Sequence, residues 1–537
     1  MTIMSALPAK KSHILWGRAL PDYLERFTAK VSGRLTSAEC SLRLQITGTI
    51  KEIIKLGDSG DRMNVLSSIT LTMLENLLDV VNASEELNRL ADPRIIAGCV
   101  SLMAIMNLSY EYGYISFRIL VLALNCCLLK HVGDLDHVIW QMSTVPKSLR
   151  LNIFWGESAS MIFSEVEGGE RLSDVFGSGS FNEYKLDQLL NLLHADQKNL
   201  FVVLKSTKSL GLSGLMFVLW KHIEAEGAKR SNPIHFFDER VNQLGRILWR
   251  YILAVPDIKL ESEAAVLIHN EIFLIAQLSD QKFIDLEDSR YVLQALIDRL
   301  AATPPVTTDE SAALIKFFEP LTVPGCEDLV PDMIGLSIER MWNSLIDEPA
   351  DVVRFALASH LLHFRRIFKR LKPKYGHTHP WVTRLMDKII QADLVDLIIR
   401  SMLTATEFNP HAENTETKLF SVSKESFIEL GDLSSGSHVS LWIYESGKLA
   451  DWFKDTNHFL DAGIFKEASK INFECINSRC IQLLYDAVIT LVALYRSTQH
   501  LRARSVNAWF TVAFGVSQRI GLVHGKGLID MFVRLIL

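Results

Sequence analysis

The sequence predicts an all-α protein whose helices stack in two successive blocks, and three observations predict it. Nearly every segment places its apolar residues at the helical period, and convincing strand alternation is scarce. At 537 residues the chain exceeds what one compact core usually supports. Within the first block, Ile95–Leu129 carries only two charges, Glu111 and Arg118, and a helix apolar on every side must be buried. Hydrophobic content of 48% with 22% charged residues is that of a folded chain rather than a disordered one.

Taken in order, the pattern predicts helices at 21–32 after Pro21, at 37–56 before the loop signal Gly57–Gly60, and at 62–81. Pro93 opens Ile95–Leu129, read as two antiparallel helices joined at Tyr112-Gly113-Tyr114. Helices follow near 134–142, 147–165, 184–205 and 211–227, with Glu167–Ser180 as the clearest loop. Two more, at 234–254 and 260–279, flank Pro256, and another covers 285–302. Five of the fifteen prolines then fall between Pro304 and Pro331, which places the boundary there: a first block 1–303 and a second 304–537. The second contains a loop-rich interval at 408–438, then three or four helices over 463–537.

The longest uncharged run of the apolar hairpin is sixteen residues, short of the roughly 20 a membrane span needs, so a protein core is expected around it. The Asn107–Ser109 acceptor sequence falls inside this apolar run, which argues against glycosylation there. Seven cysteines, an odd number with no C-x-x-C pair, argue against a disulfide framework or zinc site and for reduced, mostly buried thiols in an intracellular protein, cytoplasmic rather than nuclear. The N-terminal stretch lacks the continuous apolar run of a secretory signal. It carries Lys10, Lys11 and Arg18 with no acid before Asp22, a feature shared with mitochondrial presequences, but a frayed basic end is the simpler reading.

Leu-x-x-Leu-(Leu/Ile) recurs at Leu74, Leu186, Leu293 and Leu394, at spacings that would each hold three helical repeats of about 35 residues. Helices joined by short loops over this length favour a stacked array over one bundle. At that level the chain resembles armadillo/HEAT-type α-solenoids in general, without a repeat consensus specific to one family. The L-x-x-L-L sequences at Leu74–Leu78, Leu186–Leu190 and Leu189–Leu193 are expected to face the core rather than a partner's groove.

Catalytic and cofactor motifs fail one by one. Gly521–Gly527 is one residue short of a phosphate-binding loop and lacks its hydroxyl, and Gly177–Asn182 lacks the third glycine of a dinucleotide turn. No G-x-S-x-G, H-E-x-x-H, EF-hand loop or D-D-x-x-D occurs. Asp134, Asp136 and His137 are expected to cap a helix. His360, His363, His377 and His379 have the residue type for zinc, but the cations around them oppose a dication, and no carboxylate lies between Asp351 and Asp387. No cofactor, no metal and no catalytic residue are therefore expected.

The strongest local signal is cationic. On a helix beginning near 351, Leu357, Leu361, Phe364, Phe368 and Leu371 form one apolar band, and Arg365, Arg366, Lys369, Arg370 and Lys372 cover the remaining surface, with Lys374 just beyond Pro373. Like charges at i, i+4 oppose the helix by a few tenths of a kcal/mol per pair, so a neighbour must offset them. Within the chain, the eight acids of Asp257–Asp288 are one source; outside it, an acidic protein segment, an anionic membrane surface or, less favoured, nucleic acid would serve. The apolar end Met531–Leu537 is expected to fold back on its neighbours. The function expected is a non-catalytic intracellular scaffold or adaptor that binds other proteins through these six cationic residues. The alternatives are a peripheral membrane protein using the same helix and an all-α enzyme without a recognisable motif.

Overall fold

The computed structural model describes residues 12–28, 39–58, 68–79, 87–168, 183–207, 210–229, 233–254, 261, 263–268, 285–302, 306–372 and 379–403, with single positions between 419 and 433. Among them the regular structure is helical, and β-pairing is confined to the isolated bridges His13↔Gly17 and Ala19↔Tyr110. The chain divides into two compact units, Met1–Ile284 and Asp285–Leu537.

The first unit holds α1 (Leu20–Thr28), α2 (Glu39–Asp58), α3 (Leu71–Asp79), the single turn α4 (Leu87–Leu90), α5 (Pro93–Met103), α6 (Glu111–Val132), α7 (Leu135–Thr144), α8 (Lys147–Gly168), α9 (Glu183–Ala195), α10 (Gln197–Thr207), α11 (Leu212–Ala228) and α12 (Pro233–Ala254). It is built around α6, which packs against α3, α4, α5, α7, α8 and α11. Its side chains from Ile119 to Leu129 are buried all round, as its uniform apolarity requires.

With 22 residues α6 is long and apolar enough to cross a membrane by length and composition, so the expectation that this arm is too short does not hold. In this fold protein encloses it, and its polar residues have protein partners. Arg118 Nη1 donates to the Leu210 carbonyl (3.0 Å), and Asn125 Nδ2 to the carbonyls of Val121 and Gly211 (2.8 Å each).

The hairpin connection is Ala104–Tyr110, not Tyr112–Tyr114. Gly113 sits in the first turn of α6 because the preceding loop folds tightly over it: a Cβ there would lie 2.0 Å from the Asn107 carbonyl oxygen. Its smallness serves a close approach rather than a turn. Asn107, placed inside a helix by the sequence pattern, is exposed in this loop, and its Oδ1 accepts from the Ser109 amide (3.1 Å).

Tyr110 caps α6 with no side-chain bond, leaving the first amides of a buried helix in need of acceptors. The N-terminal strap supplies them: the Glu111 amide donates to the Arg18 carbonyl (2.9 Å) and the Tyr112 amide to the Trp16 carbonyl (3.1 Å). The buried Glu111 carboxylate, 2% exposed, takes Arg26 Nη1 at 2.7 Å and the Arg18 amide at 3.3 Å.

The single helix expected at 184–205 is two, α9 and α10, broken at Asp196. That carboxylate accepts from the Leu108 amide (2.8 Å) and from Asn199 Nδ2 (2.7 Å), tying the break to the loop below α6. Burial pushes its carboxyl up to about 6, against those two hydrogen bonds.

A second carboxylate organises α11. Glu261, fully buried, accepts from the Gly211 amide (2.9 Å), the Ser213 amide (3.1 Å), the Ser213 hydroxyl (3.0 Å) and the Tyr251 hydroxyl. It therefore caps α11 from fifty residues away, and burial raises its pKa although every one of these donors acts to lower it. Gly211 holds a left-handed φ of +86° against the Trp155 ring, where a Cβ would come within 2.2 Å.

The second unit holds α13 (Leu286–Ala301), α14 (Thr308–Phe318), the 3-10 turn Glu319–Leu321, α15 (Val330–Asp347), α16 (Ala350–Leu371), α17 (Pro380–Gln391) and α18 (Leu394–Leu403). The break between units falls at 284/285, ahead of the proline-rich stretch expected to divide them at 303/304. The reason is that α13 packs on α15, beyond those prolines. Packing alternates: α13 meets α15 and α15 meets α17, while α14 meets α16 and α16 meets α18. Asp285 and Thr307 cap α13 and α14 through the amides of Asp288 (2.8 Å) and Glu310 (3.2 Å).

Most leucines of the L-x-x-L-L sequences, among them Leu74, Leu77, Leu186, Leu189, Leu190 and Leu193, are buried in the core. The expected loop Glu167–Ser180 beyond Gly168, the helix beyond 268, most of the 408–438 interval, the glycine-rich Gly521–Gly527 and the C-terminal helices lie outside the described residues.

Removing the Glu261 carboxylate leaves two buried amides and two hydroxyls without their acceptor. Glu261→Ala is expected to destabilise the first unit by roughly 3 kcal/mol or more. Glu261→Gln, which keeps one acceptor oxygen, is expected to cost less. Urea titration followed by far-UV circular dichroism checks both the loss and the order.

Candidate partner-binding face

The cationic face lies on α16. Val353, Leu357, Leu361, Phe364, Phe368 and Leu371 are buried, so the apolar band read from the spacing is the core face of this helix. Pro349 precedes its first turn, where a missing amide hydrogen costs nothing. The cations emerge along the flanks, and each of the five described meets a carboxylate. Arg365 pairs with Glu425, Arg366 with Glu319 at 3.2 Å, Lys369 with Glu429 at 3.2 Å, Arg370 with Glu319 at 2.9 Å, and Lys372 with Glu429 at 4.0 Å. Lys374 lies outside the described residues.

Among the described residues, Glu319, Glu425 and Glu429 therefore supply internal counter-charge. The acidic stretch Asp257–Asp288 supplies none of these pairs, and Glu261 within it is committed to capping α11. Arg370 and Glu319 are 51 residues apart in the sequence, and Arg365 and Glu425 are 60 apart, separations that no local charge pattern displays.

Glu319 is the centre of this arrangement. It sits in the tight turn after α14, 10% exposed, and takes His363 Nδ1 (2.9 Å), Arg366 Nη1 (3.2 Å) and Arg370 Nη2 (2.9 Å); Arg370 also donates to its backbone carbonyl. Burial works to raise its carboxyl, but the hydrogen bonds from His363 and Arg366 and the field of Arg370 outweigh it and hold the carboxyl below the usual value. On the other side of the crowd, burial and then the nearby Arg366 lower the Lys316 ammonium. Five cations thus share three carboxylates, and the outer ones keep solvent contact: the Arg366 and Lys369 side chains are 53% and 49% exposed.

The four histidines do not assemble. His363 turns inward to Glu319, and His360 turns inward to Ser311. His379 caps α17 at the Trp381 amide, and His377 is outside the described residues. Among the described residues no group of three or more His, Cys, Asp or Glu side chains could hold a metal ion.

Sequence spacing gave no sign of the Ser311–His360 pair. Its Oγ–Nε2 distance is 3.0 Å, and Nδ1 lies 2.7 Å from the Ala356 carbonyl. With Nδ1–H donating to that carbonyl, Nε2 is left to accept the serine hydroxyl, which is the hydrogen-bond order of an activated nucleophile. Two facts oppose that chemistry here. Both side chains are fully enclosed, at 0% and 1% exposure, and burial depresses the imidazole to about 4, which makes it a weak base at neutral pH. The pair acts as a polar link between α14 and α16.

Asp134, Asp136 and His137 are equally local. Asp134 occupies the cap position of α7 without a side-chain bond, Asp136 accepts from Asn88 Nδ2 (3.1 Å), and His137 stacks on Trp140. The buried thiols of Cys99, Cys126, Cys127 and Cys326 are free, and burial raises each of them, Cys127 to about 12 and Cys326 to about 11.

No family model, no curated protein and no solved structure matches this chain.

His360 makes acid a specific stress on the second unit. Its folded pKa, about 4, lies below its unfolded value of about 6.5. Between those values the unfolded chain binds the proton and the folded chain does not. Its contribution is therefore fully present above pH 6.5 and is lost as pH falls towards 4, by an amount on the order of 3 kcal/mol. Urea midpoints at pH 7 and about pH 4.5 are expected to converge in His360→Gln, which keeps a partner for Ser311 but does not titrate. His194, depressed to about 4 by burial and by Arg246 and Arg250, imposes the same dependence on the first unit and is unchanged in that variant.

Proposed function

We propose that this chain is a non-catalytic intracellular scaffold or adaptor that binds other proteins, and that Arg365, Arg366, Lys369, Arg370, Lys372 and Lys374 form its main contact face. The observation that carries this reading is the crowding on α16, where, among the described residues, five cations share three carboxylates and the Arg366 and Lys369 side chains stay 53% and 49% exposed. Interfaces use such charge for orientation and rate of encounter more than for raw affinity, so the partner segment is acidic.

We further propose that α13–α18 are an armadillo/HEAT-like stack, with α13, α15 and α17 in one layer and α14, α16 and α18 in the other. The alternating contacts support this, and a stack of that kind offers an extended surface of rigid helices. The free buried thiols support a reducing compartment.

The test must spare the cations that hold Glu319, since reversing Arg366 or Arg370 would strain the fold itself. Lys369 and Lys372 share Glu429 at the edge and are the positions to reverse. Affinity capture from cell extract is expected to lose a defined set of proteins with Lys369→Glu/Lys372→Glu and to keep it with Lys51→Glu/Lys55→Glu on α2, all variants matching wild type in circular dichroism. An unchanged set with the α16 variant would sink the reading.

A further inference from the structure

We propose that the seam between α9 and α12 binds a phosphate group, free or at the end of a small phosphomonoester, through Arg246, Arg250 and His194. This site is in the first unit and does not depend on the cationic face of α16.

Helical register brings the three side chains together. Arg246 and Arg250 stand about one turn apart on α12, which packs against α9, α10 and α11. Arg240 anchors the seam: its Nη1 donates to Asn191 Oδ1 (2.8 Å) and its Nη2 lies 3.6 Å from Asp187 Oδ1. His194 comes three residues after Asn191 and Arg246 six after Arg240, so both lie beyond this anchor towards the C-terminal ends of their helices. Arg250 is enclosed, 2% exposed, and its Nη1 donates to the Arg246 carbonyl (3.2 Å). Arg246 and His194 are half-buried, and Asn191 and Ala195 on the flanks of His194 are exposed, so the cluster opens to solvent. The Arg246 Nε is sealed within it and has no acceptor.

The charge around the cluster selects its ligand. Among the described residues, the charged groups acting on His194 are Arg246 and Arg250, and the one acting on Arg246 is Arg250. The carboxylates on either side are committed elsewhere. Asp187 meets Arg240 and His222 (3.4 Å), and Asp196 takes the Leu108 amide and Asn199. A guanidinium sealed beside a second one, with a buried donor left unmet, is costly. A bound anion removes both costs, since it accepts from Nε and offsets the repulsion between the arginines. A phosphate monoester brings three acceptor oxygens and up to two negative charges, against the two oxygens and single charge of a carboxylate. That matches two guanidinium forks and an imidazole arriving from two helices. Once the anion is seated, His194 takes up a proton and becomes a third cationic donor.

Isothermal titration of the full chain with inorganic phosphate and with phosphoserine, at constant ionic strength, tests this. Wild type is expected to bind, and Arg246→Met to bind about 10-fold more weakly or worse. Lys369→Glu/Lys372→Glu is expected to leave binding unchanged, which separates this site from the face on α16. Tighter binding of phosphoserine would assign the site to a monoester, and tighter binding of inorganic phosphate to the free ion. Since the unmet Nε of Arg246 holds nothing in place, Arg246→Met is expected to match wild type in circular dichroism. A second readout needs no altered arginine. In histidine-labelled wild type, the ring resonance that His194→Gln removes is expected to gain protonation at about pH 5.5 when phosphate is added. No binding of either ligand by wild type, equal binding by Arg246→Met, or a His194 resonance unmoved by phosphate would each overturn the proposal.

Discussion

The burial of α6 is the constraint from which the first unit follows. A helix apolar on every side needs neighbours on every side, and six helices supply them. Enclosure also removes water from its ends, so its opening amides need protein acceptors where no side-chain cap exists. The strap at residues 16–19 meets that need with its own carbonyls. Segments far apart in sequence are thus joined by one requirement: the N-terminal strap, the loop 104–110 and the α9/α10 break all converge on the start of one helix.

Each unit also contains a carboxylate that gathers donors from separate elements. Glu261 holds the start of α11 together with Tyr251, and Glu319 holds three side chains of α16. A buried carboxylate is costly to desolvate, and several good donors must offset that cost. The two cases resolve differently. At Glu261 the donors are neutral and burial prevails, so the proton is held more tightly than usual. At Glu319 two of the donors are arginines, and ionisation prevails. The same side chain acts as a cap in one place and as a counter-ion in the other because of what surrounds it.

What was legible in the sequence follows from range. The helical period of Leu357 to Leu371, the proline start of α5 and the buried leucine pairs at Leu186–Leu193 are local, and one chain displays them. Gly113 was misplaced because glycine signals either a turn or a close approach, and only the loop lying over it decides which. The break at Asp196 was missed because its cause, the Leu108 amide, is 88 residues away. Prolines likewise mark where helices stop and not which helices pack together, and α13, which precedes them, packs on α15 beyond them.

The cationic run of α16 shows why charge in a sequence is a poor measure of charge at a surface. Its partners sit in the turn after α14 and around residues 425–429, so a cluster that looks unbalanced along the chain is largely balanced in space. Exposure is then spread unevenly over the five cations, greatest at Arg366 and Lys369 and least at Arg365. Ile14 and Leu15 present the opposite case: an apolar pair without periodicity is exposed at the end of the closed turn His13–Gly17. In both places what is exposed is what remains after the interior has satisfied its own needs.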